Sequence, residues 1–97
     1  MTGPILRAVM ENGESYDDPS EDALFLLFED MAAGDARWVV IEKISDTSKQ
    51  TYTQAVRLAD GSFQVERRLG SPATHEAVGP VDLRTAHEQL TRWAFAL

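Results

Sequence analysis

Apolar side chains recur along this chain of 97 residues with two periods, one helical and one extended. Leu24, Leu27, Phe28 and Met31 hold the i, i+3, i+4, i+7 spacing that gathers side chains on one helical face. Ahead of them, Asp18 is the expected cap, Pro19 takes the first helical position, where no amide is lost, and Glu21 completes a capping box. Gly34 offers the left-handed residue that ends the helix. Phe25, Leu26 and Ala32 widen the apolar arc, so Phe25 or Leu26 has a second surface to meet, either a C-terminal helix or a partner. That second helix opens at Asp82 as cap and carries Leu83, Ala86, His87, Leu90, Trp93 and Ala94 along one face.

The extended segments follow from alternation and turn chemistry. Pro4 to Met10 reads as a strand ended by Asn12-Gly13, and Arg37 to Ile44, apolar on both faces through Val39, Val40 and Ile41, reads as the middle of the sheet. Thr51 to Leu58 and Ser62 to Leu69 alternate around Asp60-Gly61, the favoured two-residue hairpin turn. With Ala59 facing Ser62, Leu58 faces Phe63, Val56 faces Val65 and Tyr52 faces Leu69, all on one apolar face. Arg57 with Gln64, Ala55 with Glu66 and Thr53 with Arg68 form the solvent face in that register. Gly70-Ser71-Pro72 breaks the sheet, and Thr74 to Val78 returns as a short edge strand before Gly79-Pro80.

The order predicts a two-layer α+β domain over residues 1–97, with a mostly antiparallel sheet of four or five strands and two helices. The apolar end Trp93–Leu97 either docks into the core or leads into a further strand.

Charge changes this picture because it is localised. Glu11, Glu14, Asp17, Asp18, Glu21, Asp22, Glu29, Asp30 and Asp35 fall in one segment without a single base, and this segment carries the imbalance behind the formal charge of -7. Such a field repels phosphate backbones and disfavours nucleic acid, while it steers a basic protein on approach. The absence of cysteine removes disulfides, thiolate nucleophiles and zinc-finger or iron–sulfur sites, and fits a reducing cytosol. Met1 to Leu6 is short and interrupted by Pro4, and no run of about 18 apolar residues occurs, so the reading is cytoplasmic, with no membrane partner.

Candidate chemistry is sparse. His75-Glu76 on a strand and His87-Glu88 on a helix point their neighbours apart, so neither pair forms a ligand set or an acid–base pair. The acids from Glu14 to Asp22 lack the spacing of a calcium loop, Ser15, Ser20 and Ser62 lack a nucleophile-elbow context, and the glycines fall at turns rather than in phosphate loops. Arg67 and Arg68 point to opposite faces and make no basic patch. Neither a catalytic residue, a metal site nor a cofactor is expected, and the chain reads as a non-enzyme. Trp38 and Trp93 lie within apolar patterns and read as core, whereas Tyr16 stands in a polar loop, either as an interface anchor or as a staple over the first helix.

Four stretches carry a resemblance: Pro19-Ser20-Glu21-Asp22-Ala23-Leu24, Trp38-Val39-Val40-Ile41-Glu42, Gln50-Thr51-Tyr52-Thr53-Gln54 with Asp60-Gly61-Ser62-Phe63, and Leu90-Thr91-Arg92-Trp93-Ala94-Phe95. Together they resemble small actinobacterial proteins that look like the Imm1 class of toxin-immunity proteins. The resemblance implies a non-enzymatic α+β protein that binds and inhibits a toxin, and it transfers no binding residues. From surface chemistry, the expected partner-binding edge is Glu14, Tyr16, Asp17, Asp18, Glu21 and Asp22, facing another, basic protein. The alternative is a self-associating structural or accessory protein, a homodimer joined through its apolar C-terminus or an edge strand.

Overall fold

The computed structural model describes residues 3–97; Met1 and Thr2, part of the start read above as too short for a leader, lie outside the described residues. The elements are β1 (Leu6–Met10), β2 (Ser15–Asp17), α1 (Glu21–Ala32), β3 (Trp38–Lys43), β4 (Thr51–Arg57), β5 (Phe63–Leu69), β6 (Glu76–Val81) and α2 (Leu83–Ala94), with one 3-10 turn at Pro72–Thr74. The strands form a single sheet in the order β2-β1-β3-β4-β5-β6, antiparallel throughout. Both helices pack on one face, giving the expected two-layer α+β architecture. The sheet has six strands because Ser15–Asp17, read from sequence as an acidic loop, folds back on β1 as a short edge strand.

Alternation sets the core. Leu6, Ala8 and Met10 of β1, Val39 and Ile41 of β3, Ala55 of β4, and Phe63 and Val65 of β5 point into it, against Leu24, Leu27, Phe28 and Met31 of α1 and Ala86, Leu90, Trp93 and Ala94 of α2. Phe28 meets Phe63 edge-on at 5.3 Å and joins α1 to the sheet. Thr53 is fully buried among these side chains, and its hydroxyl donates to the Glu66 carbonyl at 2.8 Å, which satisfies the one polar atom it brings inside. Phe95 at the end of α2 stays 56% exposed, while Leu97 packs against the core.

The start of α1 differs from the sequence reading. Ser20 is the cap, its hydroxyl accepting from the Ala23 amide at 3.1 Å, and Pro19 is buried just ahead of the helix. Asp18 sits at φ +44°, and its carboxylate accepts the Ile5 and Leu6 amides at 2.9 and 2.8 Å. An aspartate tolerates that left-handed conformation better than most residues, and here it clamps the entry of β1 instead of capping α1.

The β4–β5 register also differs, by one residue. Arg57 pairs with Phe63, Ala55 with Val65, Thr53 with Arg67 and Thr51 with Leu69. The cause is the loop: Leu58 and Ser62 flank three residues rather than two, the Gly61 amide donates to the Leu58 carbonyl at 3.0 Å, and Gly61 takes φ +86°. That is a three-residue hairpin with its glycine in the left-handed position. One extra loop residue turns Tyr52 and Val56 out of the core and brings Thr53 and Ala55 in.

The last strand is longer than expected. β6 starts at Glu76 and runs through the cis Gly79-Pro80 peptide to Val81, with a register shift against Phe63 and Val65. Asp82 caps α2 as anticipated, accepting from the Thr85 amide at 2.8 Å.

Candidate functional site

The six residues of the expected acidic edge separate into four environments. Asp17 pairs with Arg7 at 2.9 Å on the sheet face away from the helices, and Asp18 is occupied by the amides of β1. Tyr16, opposite Ala8 across the β1–β2 ladder, lies on the helix side, and its hydroxyl donates to Glu14 at 2.5 Å. That bond to a carboxylate pushes the phenol above its ordinary value. Glu21 and Asp22 are exposed in the first turn of α1, where the helix dipole favours them. Only Glu14, Tyr16, Glu21 and Asp22 therefore remain available around α1.

Between β2 and α1 runs a groove of about 310 Å³ lined by Tyr16, Pro19, Ala23, Leu26, Leu27 and Asp30. Tyr16 thus stands beside α1, as the staple reading expected, and is still 41% exposed. Leu26 is 59% exposed at the groove's outer wall, while Phe25 has found its second surface within the chain, meeting the His87 ring of α2 at 5.2 Å. Helical spacing sets Asp22, Leu26 and Glu29 on the ridge of α1 turned away from the core, with Asp30 at the groove. The last turn of α1 contains no base, so Glu29 and Asp30 oppose the negative end of the helix dipole. Local stability does not account for carboxylates in that position.

The uncovered face of the sheet is a second surface, on which the sequence-based register placed Gln64, Glu66 and Arg68 correctly but Arg57, Ala55 and Thr53 in place of Val56, Gln54 and Tyr52. Cross-strand pairs place Arg7, Val9, Trp38, Val40, Glu42, Tyr52, Gln54, Val56, Gln64, Glu66 and Arg68 on it. Trp38, expected in the core, is half-buried here beside Val56. At one side, Arg68 donates from Nε to His75 Nδ1 at 3.3 Å and from a terminal nitrogen to Gln50 at 2.9 Å. A guanidinium only donates, so Nδ1 accepts and His75 Nε2–H donates to Glu66 at 2.9 Å. This bond, with a second from Gln54, holds the Glu66 carboxyl below its ordinary range.

Among the described residues no group of three or more His, Cys, Asp or Glu gathers as a metal site. No helix of the described residues is long and apolar enough to cross a membrane. Compared with family models, with curated proteins and with solved structures, the chain matches none.

Proposed function

We propose that this chain is a non-enzymatic protein-binding domain whose β2–α1 groove takes an apolar side chain of a basic partner. The observation that carries the reading is the pairing of an exposed Leu26 with carboxylates retained against the helix dipole at Glu29 and Asp30. Covering the exposed part of Leu26 contributes about 1–2 kcal/mol, more than a typical exposed ion pair at about 0–1 kcal/mol. The groove therefore supplies affinity, while Glu14, Glu21, Asp22, Glu29 and Asp30 steer the approach and select sign. The acidic charge selects a basic partner, and the resemblance to immunity proteins implies that this partner is a toxin domain that the chain inhibits.

The test uses the purified protein as bait for lysate, with each captured protein then purified and titrated by calorimetry against the native chain, Leu26→Ser and Asp30→Lys. A basic protein whose affinity falls in both variants, survives Asp17→Asn and weakens with salt supports the reading. Captured proteins that bind all four forms alike, or that are acidic, end it. Asp18 is left untouched because its side chain holds the backbone of β1.

A further inference from the structure

We infer that the uncovered face of the sheet pairs with the same face of a second copy, setting Arg7 of each copy against Glu42 of the other. The chain carries -7 overall, yet this face holds Arg7, Lys49 and Arg68 against Asp17, Glu42 and Glu66, equal in number and opposite in sign. Two copies that repel through their helical layers can meet on this surface without an excess of like charge.

The arrangement across β1 and β3 is self-complementary. Arg7 lies beside Glu42, and Val9 beside Val40. A two-fold axis running along the strands between β1 and β3 places Arg7 opposite Glu42 and Val9 opposite Val40, each contact occurring twice, as an isologous interface requires. Trp38 and Val56 extend the apolar strip. The edges of the sheet are poor alternatives. β2 has only three residues, and β6 carries Pro80 and a register shift, both of which blunt strand addition.

With the axis between β1 and β3, β2 of one copy faces β4 of the other, and β5 and β6 lie outside the contact. Four strands about 4.8 Å apart, with about five residues at about 3.3 Å each, overlap over roughly 300 Å² in projection. That is below the range of stable specific interfaces and fits only a weak, transient pairing, so the dimer dissociates on dilution. The surface lies on the opposite side of the sheet from the α1 groove, and losing it leaves partner binding there unchanged.

Sedimentation velocity on the full chain across a dilution series is the experiment. The native protein is expected to shift from monomer to dimer with concentration. Arg7→Glu and Glu42→Arg each replace two attractive contacts by two repulsive ones and should weaken self-association on the order of 100-fold. An equimolar mixture of the two variants restores both contacts and should recover the dimer mass. Circular dichroism establishes that each variant is folded, since the Arg7–Asp17 pair lost in the first is exposed. A native chain that stays monomeric at millimolar concentration overturns the inference. So do single variants that dimerise like the native protein, a mixture that stays monomeric, or a dimer abolished by Phe95→Ser with Arg7→Glu intact.

Discussion

His87 Nε2 donates to the Glu21 carbonyl at 3.0 Å, linking α2 to the first turn of α1 across 66 residues of chain. A carbonyl only accepts, so the proton resides on Nε2. The same ring meets Phe25 and Phe28 edge-on, at 5.2 and 6.0 Å, which fixes the position of the helix carrying the groove. His87→Leu keeps the volume but removes the donor, and is expected to cost about 1 kcal/mol in urea unfolding. Faster amide exchange in the first turn of α1 than in β3 would show that the loss is local to the helix junction.

Glu29 and Asp30 make the opposite prediction. Lysine at either position replaces a charge that the C-terminal dipole disfavours by one that it favours, and each substitution should stabilise the chain by roughly 0.3–1 kcal/mol at low ionic strength. Thermal melts at low and high salt check this, because the gain shrinks with screening. If stability rises while partner affinity falls, the two carboxylates serve binding at a cost to the fold.

Gly79 is required by space as well as by conformation. At φ +142° an added Cβ would stand 2.8 Å from the Phe63 carbonyl oxygen and 3.0 Å from the Gln64 Cα, both backbone atoms of β5. Gly79→Ala must therefore push β6 off its neighbour, with an expected loss of about 1–3 kcal/mol. Increased amide exchange in β6 and β5, with β1 and β3 unchanged, is the accompanying signature.

Acid sensitivity follows from the bonded carboxylates. Bonds from the Arg37 side chain and amide lower Glu11, the Ser48 and Thr51 hydroxyls lower Asp46, Ser62 lowers Asp60, His75 lowers Glu66, and the Thr85 amide lowers Asp82. A carboxylate depressed in the folded state adds stability above its unfolded value, lost as pH falls through the folded one. Their contribution should be complete above the ordinary values of 4.5 for glutamate and 3.8 for aspartate, and decline progressively below them. Urea midpoints measured from neutral pH downward test this, with Glu66→Gln giving a shallower decline.

What the sequence disclosed depends on the range of the interaction that fixes each feature. The stripe Leu24, Leu27, Phe28, Met31 and the Asp82 cap are local patterns, and both appear as read. Ser20 displaced Asp18 as the first cap because the Asp18 carboxylate is claimed by amides twelve and thirteen residues away, a competitor that local spacing does not reveal. The groove was half legible: the wide arc pointed to Leu26, but Tyr16 reaches it only because β2 folds back on β1. The uncovered face was half legible: alternation placed Gln64, Glu66 and Arg68 on it correctly, but Tyr52 and Val56 are apolar by type and only the register decides which way they point.

That register depends on Leu58 and Ser62 remaining the residues that close the loop. Deleting Ala59 leaves Asp60-Gly61 alone between them, the pair best suited to a two-residue turn, without moving the partners Arg57 and Phe63. The deletion should keep the native sheet, with stability within about 0.6 kcal/mol because loop closure varies slowly with length. Backbone contacts between Thr53 and Arg67 by nuclear magnetic resonance provide the check. A shift of that contact to Thr53 and Arg68 would mean that apolar burial, rather than loop length, controls the pairing.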